Sequence, residues 1–296
     1  MRKLVECVPN FSEGRCSEII DSIVNEVKKV EGVKLLDVQS DGSHNRTVVT
    51  FVGEPTAVKQ AAFASCAKAT ELIDMEQHHG EHPRIGATDV IPFIPVRGVS
   101  LDECVELANE LGQEIGAKLD IPVYMYEAAA KRSDRKNLPD VRKGQYEGLK
   151  KAISEPERKP DYGPAKMHPK AGATVVGARQ FLIAYNINLS TSDVQIAKKI
   201  ANNIREVKGG FKYCRAMGIR IEDRNIVQVT INMINYEGTP LHRVFETVKN
   251  EAARYGVNII GSEIVGLVPL QALIDTADYY LRLEGFNRKQ VMEENI

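Results

Sequence analysis

The sequence predicts an α/β protein made of two consecutive units, each built on a split β-α-β arrangement with a mixed sheet. Short runs of β-branched and aromatic residues, typical of strands, alternate with longer stretches whose apolar residues recur every three or four positions, as in amphipathic helices. These segments follow the order β-α-β-β-α-β-α-β in the first unit and β-α-β-β-α-β-α in the second. The shared order predicts two ferredoxin-like subdomains, with a cleft where they join.

The first unit is expected to contain five strands and three helices. Its β-branched and aromatic composition predicts strands at residues 4–8, 33–38, 46–52, 90–96 and 122–126. Helical spacing predicts helices at residues 19–30, 55–73 and 101–119. Ser100 and Glu103 have the spacing of a capping box, so the third helix should begin there. Residues 9–14, which include Asn10, are expected to form a polar turn.

A charged and proline-rich stretch, residues 128–169, follows these elements within the first unit. It predicts long irregular connections around one short helix near residues 142–153, and loops of this length are usually functional or disordered. The second unit should contain strands at residues 181–186, 213–221, 226–234 and 257–260, and helices at residues 194–204, 240–248 and 269–283. We place the subdomains at residues 1–178 and 179–296.

The composition is that of a soluble globular protein, with 43% hydrophobic and 27% charged residues. A net charge of −1 provides no field that would attract nucleic acid or an anionic membrane. No apolar run approaches the ~18 residues that a membrane span needs. The five cysteines are odd in number and widely spaced, which indicates free thiols in a reducing compartment. We therefore expect a cytoplasmic protein without nucleic-acid or membrane partners.

The histidine loop, residues 78–84 with the sequence HHGEHPR, is the most distinctive stretch of the chain. It contains three of the six histidines. Gly80 and Pro83 mark it as an irregular turn, and it has no apolar periodicity that would assign it to a core helix or strand. Titratable side chains are rarely concentrated in this way for packing alone, so the loop is a candidate for acid–base chemistry.

Two chemistries are open for the histidine loop. One is a zinc site. The known helical zinc signature also has two histidines four residues apart, but this loop differs from it by the glycine between the histidines and the proline after them. The ligands of a zinc site in this loop would come from His78, His79, Glu81 and His82. The other is a neutral histidine acting as a general base, with Arg84 nearby to hold an anion.

Several common site motifs are missing from the sequence. There is no glycine-rich phosphate loop, no dinucleotide fingerprint and no serine nucleophile elbow, and no cysteine adjoins a histidine. Nucleotide cofactors and acyl-enzyme chemistry therefore have little support. Polar segments at other strand ends, such as residues 44–47 and 186–188, are equally well explained as turn formers.

The chain resembles the formiminotransferase family over nearly its whole length, with the family's sequence blocks in the expected order. The blocks are residues 6–14 (ECVPNFSEG), 45–48 (NRTV), 78–84 (HHGEHPR), 177–182 (GARQFL), 261–263 (GSE) and 265–270 (VGLVPL). The resemblance implies two α/β subdomains that face each other across a substrate groove, with helices outside, in a homodimer. It also implies transfer of a formimino group from N-formimino-L-glutamate to N5 of tetrahydrofolate in histidine breakdown.

The resemblance also implies roles for particular residues. His82 matches the family's catalytic base, and tetrahydrofolate is a co-substrate, with no metal expected. The folate-contacting segment falls on Gly163, Pro164, Ala165, Lys166, Met167, His168, Pro169, Lys170, Ala171 and Gly172. Further substrate contacts, including partners for the carboxylates of the two substrates, are expected from Asn10, Arg46, Arg84, Arg179, Lys166 and Lys170. His82 is expected to have an ordinary pKa, about 6.5.

Two departures from the family pattern matter. Bifunctional relatives continue into a cyclodeaminase domain, which is not expected here. The family often has an acid directly after the strand that ends at Val38, whereas this chain has Gln39 and Ser40 before Asp41, which leaves an assisting carboxylate unassigned. Three rival functions remain open: formyl transfer between 5-formyltetrahydrofolate and glutamate in the same site, non-catalytic folate binding, and metal-dependent hydrolysis.

Overall fold

A computed structural model describes residues 3–294, and the chain divides into two compact units at Gln180 and Phe181. The strands of unit 1 are β1 (Leu4–Cys7), β2 (Asn10–Phe11), β3 (Val33–Asp41), β4 (Arg46–Gly53), β5 (Thr88–Arg97), β6 (Val123–Glu127) and β7 (Thr174–Ala178). Its helices are α1 (Ser17–Lys28), α2 (Pro55–Leu72), α3 (Leu101–Lys118), α4 (Leu138–Val141) and α5 (Gln145–Ala152). The mixed α/β fold class predicted from the sequence is confirmed.

The sheet of unit 1 is a ferredoxin-like sheet extended on one side. Strands β1 and β2 are two pieces of one interrupted strand between β4 and β5, and β3 pairs with the outer edge of β4. All of these pairs are antiparallel. Beyond β5 the sheet continues through β7 to β6, and these two pairs are parallel. The sheet is therefore mixed, as expected.

Two sequence predictions for unit 1 were wrong. Asn10 and Phe11 do not form a simple turn, because they pair with Val48 of β4 and Val90 of β5. The segment at Thr174–Ala178 is a buried central strand that the sequence did not identify. A five-residue apolar run without alternation has no periodicity of its own, and its strand conformation comes from pairing on both sides.

Apolar residues of α1, α2 and α3 pack into the core of unit 1. The predicted capping box is confirmed, since the Ser100 side chain accepts from the Glu103 N–H group and Glu103 accepts from that of Ser100. Gly116 of α3 allows a close approach to the chain at Gly163, because a Cβ there would lie 2.6 Å from the Gly163 nitrogen. This contact holds the start of the segment 163–172 against α3.

The charged stretch after β6 is ordered by buried polar contacts. It contains two short helices, α4 and α5, where one was predicted, together with 3₁₀ turns at Ser133–Arg135 and Pro156–Arg158. The Arg135 guanidinium forms a buried ion pair with Asp161, with 2.9 Å between Nη1 and Oδ1. The predicted helix near residues 142–153 corresponds to α5, whereas α4 lies before it and was not predicted. Gly144, at φ +85°, separates α4 from α5 in a conformation that glycine adopts without strain.

Unit 2 is a four-stranded antiparallel ferredoxin-like unit. Its strands are β8 (Ile183–Leu189), β9 (Cys214–Ile221), β10 (Ile226–Met233) and β11 (Ile259–Val265), in the sheet order β11-β8-β10-β9. Its helices are α6 (Val194–Ile204), α7 (Leu241–Ala253) and α8 (Leu270–Leu281). Alternate residues of β8 and β10 join a separate core with these helices. The predicted element order of this unit is confirmed.

The five cysteines are all free thiols, as the sequence predicted, and four of them are buried. Burial raises the pKa of the Cys66 thiol to about 11, so this thiol is protonated at neutral pH. Within residues 3–294, none of the helices has the length and apolar character needed to cross a bilayer.

Candidate active site

The histidine loop connects α2 to β5, and Asn45 anchors it to the turn between β3 and β4. The Asn45 side chain donates to the His79 carbonyl at 3.0 Å and accepts from the Gly14 N–H group at 2.9 Å. Its backbone adopts φ +49°, a left-handed conformation that asparagine tolerates better than most residues. One asparagine therefore connects three segments that lie far apart in the sequence.

Gly80 allows the histidine loop to lie directly against that turn. A Cβ at Gly80 would come within 2.3 Å of the His44 carbonyl oxygen and 2.7 Å of the Asn45 Cβ. The Glu81 N–H group then donates to the Ser43 carbonyl at 3.2 Å. The glycine is required for this backbone contact rather than for a special dihedral angle.

His78 is a structural histidine whose two ring nitrogens are both in use. Arg84 Nε donates to Nδ1 at 3.1 Å, so Nε2 carries the proton and donates to the Asn45 carbonyl at 2.9 Å. Burial lowers the His78 pKa, and the nearby charge of Arg84 lowers it further. In this arrangement neither nitrogen is free to bind a metal. In the part of the chain that the structure describes, no three metal-ligating side chains converge.

Arg84 has partners within the protein rather than an open guanidinium. Its side chain bonds both carboxylate oxygens of Glu147, at 2.7 and 3.1 Å, and the Gln145 side chain at 3.1 Å. Only 6% of the residue is exposed. These contacts attach the histidine loop to the first turn of α5. In this structure Arg84 binds protein groups, whereas the sequence predicted that it would hold a substrate anion.

His82 is the buried histidine of the loop whose ring makes no hydrogen bond to any residue between 3 and 294. It is 9% exposed. Burial lowers the pKa of His82 to about 2, and the positive charges of Arg142 and Arg46 act in the same direction. The expected His82 pKa of about 6.5 is therefore wrong for the protein without substrates. That expectation took account of neither the burial of His82 nor the charges of Arg142 and Arg46.

Arg142 is the site residue that the sequence did not identify. It follows α4 and forms an ion pair with Asp89, a carboxylate that is 1% exposed and also accepts from the Ile85 N–H group at 2.9 Å. Arg142 has no motif around it, and most of the charged residues near it in the sequence are exposed. Its place beside His82 depends on the fold of the segment between β6 and β7.

Arg46 and Arg142 together form a cationic cluster with unused hydrogen-bonding capacity. Each guanidinium has a buried Nε group without a partner among the described residues. Burial lowers the pKa of Arg46 and the charge of Arg142 lowers it further, whereas the charges of Asp41 and Asp89 raise it. A buried N–H group without a partner is costly, so the cluster is suited to a carboxylate ligand.

The segment 163–172 forms a compact turn that ends beside the histidine loop. Its backbone closes at His168 and Gly172, which exchange hydrogen bonds of 3.1 Å. His168 Nδ1 accepts from the Ala171 N–H group at 2.9 Å, and Ala87 donates to the Ala171 carbonyl at 2.8 Å. Met167 and Ala171 are buried, whereas Ala165, Lys166 and Pro169 are exposed.

The remaining predicted substrate contacts lie in different surroundings. Lys170 Nζ donates to the Glu71 carbonyl, whereas Lys166 makes no hydrogen bond or ion pair within the described ranges. Arg179 and Arg142 both act on Tyr126, whose pKa burial raises to about 12. Asn10 lies on the face of β2 opposite to the core residue Phe11. Asp41 caps its own turn by accepting from the Ser43 and His44 N–H groups at 2.8 Å.

Comparison with known families is decisive. Residues 4–179 match the model of the formiminotransferase domain, N-terminal subdomain, and residues 184–295 match the model of the formiminotransferase domain. The chain belongs to the formiminotransferase family. The resemblance inferred from its sequence blocks is confirmed.

Several members of the formiminotransferase family are similar to this chain over 95% or more of its length. A glutamate formimidoyltransferase of Streptococcus pyogenes is 52% identical over 100% of this chain and 99% of its own length. One of Thermoplasma acidophilum is 50% identical over 99% of this chain and 97% of its own. The formimidoyltransferase-cyclodeaminase of Rattus norvegicus is 48% identical, but this chain covers only 53% of it. The chain is accordingly an enzyme of the transferase class.

Proposed function

We propose that the protein transfers the formimino group of N-formimino-L-glutamate to N5 of tetrahydrofolate, giving 5-formiminotetrahydrofolate and L-glutamate. The observation that carries this proposal is the 50–52% identity to two glutamate formimidoyltransferases over essentially the whole chain. We place the reaction in histidine degradation, in a cytoplasmic homodimer whose subdomains are residues 1–178 and 179–296. Tetrahydrofolate is a co-substrate, and no metal is assigned a role.

His82 supplies the proton transfer that this reaction needs. N5 of tetrahydrofolate attacks the formimino carbon and forms a tetrahedral adduct. His82 accepts the proton from N5 and returns it to the glutamate nitrogen as the C–N bond breaks, so that glutamate leaves as a neutral amine. A ring without a hydrogen bond to the rest of the described chain has its nitrogens available for this exchange.

The cationic cluster prepares His82 for its role. A base whose conjugate acid has a pKa of about 2 is too weak to accept a proton efficiently near pH 7. We assign a carboxylate of the glutamyl donor to Arg46 and Arg142, which have buried Nε groups without partners inside the described chain. The bound negative charge offsets the two cations that lower the His82 pKa, so the base becomes effective when the donor is in place.

The segment 163–172 is assigned to tetrahydrofolate. Its exposed residues Ala165, Lys166 and Pro169 surround a backbone turn that ends next to the strand following the histidine loop. Lys166, which is exposed and makes no ion pair within residues 3–294, is the candidate partner for a carboxylate of the folate tail. Lys170 instead contacts the carbonyl at the end of α2.

Product formation tests the proposed function directly. Metal-stripped protein is incubated with tetrahydrofolate and N-formimino-L-glutamate, and the products are followed by absorbance and mass. We expect 5-formiminotetrahydrofolate and free glutamate in equal amounts. Turnover only of 5-formyltetrahydrofolate with glutamate would change the donor, and tight folate binding without either reaction would contradict the proposed activity. Activity that returns only on adding a metal would favour the hydrolytic alternative.

The lowered His82 pKa predicts how stability depends on pH. Below about pH 6.5 the unfolded chain binds a proton at this position, whereas the native protein does not until about pH 2. The free energy of unfolding therefore falls as the pH drops, by about 2 kcal/mol between pH 7 and pH 5 from this residue. Urea unfolding at the two pH values should show a smaller loss for His82→Gln than for the wild type. An equal loss in both proteins would mean that the pKa is not lowered.

A further inference from the structure

A row of amide and carboxylate side chains crosses the sheet of unit 2 on the face opposite to its helices. Ile187 and Val229 belong to the core that packs against the helices. Because side chains alternate along a strand, Asn186, Asn188 and Gln228 lie on the other face. Strand pairing places Asn188 opposite Gln228 and Asn186 opposite Glu263 of the edge strand. We call these four side chains the amide row.

The amide row is held together by its own hydrogen bonds. Gln228 Nε2 donates to Asn188 Oδ1 at 2.9 Å and to Glu263 Oε1 at 3.0 Å. Asn186 Nδ2 donates to the same Glu263 oxygen at 3.0 Å. The two bonds converge on one carboxylate oxygen and leave the other oxygen of Glu263 without a partner among the described residues.

The unused groups of the amide row define what it can bind. Within residues 3–294, Glu263 Oε2, Gln228 Oε1 and Asn186 Oδ1 accept no hydrogen bond, and Asn188 Nδ2 donates none. Gln228 and Asn188 are only 5% and 6% exposed, so their side chains lie mostly within the row. The row therefore offers three unused acceptors, one of them anionic, beside the amide hydrogens of Asn188 and the second amide hydrogen of Asn186. A carboxylate or phosphate ligand does not match this pattern.

We propose that the amide row binds the pterin ring of tetrahydrofolate along its 2-amino-4-oxo edge. This inference rests on the proposed function and deepens it. That edge presents the N2 and N3 hydrogens as donors and O4 as an acceptor, which complements the acceptors of Glu263 and Gln228 and the Asn188 donor. The glutamyl donor and the folate tail are both rich in carboxylates, which the Glu263 charge repels. Gly261, paired with Asn188, leaves the sheet surface beside the row free of a side chain.

The inference is tested with Glu263→Gln and a pair of ligands. Binding is measured for 5-formyltetrahydrofolate, which contains the pterin, and for p-aminobenzoyl-glutamate, which lacks it. We expect Glu263→Gln to raise the Kd of the folate by about 10- to 100-fold, the effect of losing a hydrogen bond to a charged group, and to leave the Kd of the fragment unchanged. Glu237→Gln, at an exposed glutamate of the same unit, is the matched control and should change neither.

The outcomes separate this inference from the proposed function. An unchanged folate Kd in Glu263→Gln, while the wild-type protein forms 5-formiminotetrahydrofolate, would overturn the pterin assignment alone. A raised KM for N-formimino-L-glutamate with an unchanged folate Kd would assign Glu263 to the formimino cation instead and would also overturn it. Wild-type protein that neither binds the folate nor forms product would contradict the proposed function. Asn186→Ala, which keeps the carboxylate, should show a smaller loss in the same direction if Glu263→Gln does not fold.

Discussion

Replacement of His82 by glutamine lowers kcat by about 10²- to 10⁴-fold, the usual contribution of general acid–base catalysis, while the Kd for tetrahydrofolate changes less than about threefold. Glutamine fills a similar volume but cannot accept a proton at neutral pH. The loss falls on kcat because the proton moves only when N5 attacks and glutamate leaves. Single-turnover kinetics and a separate folate-binding measurement distinguish this effect from weaker binding.

A suitable control for the His82 variant is His242→Gln in unit 2, where the imidazole stacks on Tyr279 at 4.2 Å. This variant removes a histidine without removing the proposed base, and its kcat should stay close to that of the wild type. His82→Ala adds a second test, because imidazole supplied in the buffer should restore part of the lost rate. Full activity of His82→Gln would eliminate the general-base assignment.

Replacement of Arg142 by glutamine is expected to raise KM for N-formimino-L-glutamate and to lower kcat/KM by about 10- to 100-fold, which is the effect of losing a charge-assisted hydrogen bond. KM for tetrahydrofolate should change much less. The variant also leaves Asp89 buried without its cation, and breaking a buried ion pair costs about 3–5 kcal/mol of stability. A loss of activity caused by unfolding therefore has to be separated from a loss of donor binding.

Two further variants make that separation. In Arg142→Gln combined with Asp89→Asn, no buried charge is left unpaired, so stability should recover in part while donor binding does not. Arg135→Gln breaks another buried ion pair, with Asp161, and shares no hydrogen-bonding partner with Arg142. It should be destabilised to a similar extent without a selective increase in KM for the glutamyl donor. An unchanged donor KM in Arg142→Gln would show that the donor carboxylate binds elsewhere.

Local features of the chain were predicted well from the sequence. The capping box at Ser100 was recognised because its two side chains act within one turn of helix. The element order of unit 2 followed from strands with clear alternation, such as Ile226–Met233. The strand at Thr174–Ala178 was missed because it is buried on both faces and has no alternation. The roles assigned to His82 and to the segment 163–172 remain predictions.

The sequence by itself determined the fold class, the order of elements in unit 2, the family and the histidine loop, because each depends on contiguous residues or on a local period. Only the tertiary structure decided the environment of that loop. The partners of Arg84 come from α5, and the pKa of His82 reflects burial together with charges from β4 and from the end of α4. Electrostatic effects and burial depend on distances in space, and residues such as Arg142 approach His82 only when the intervening chain has folded.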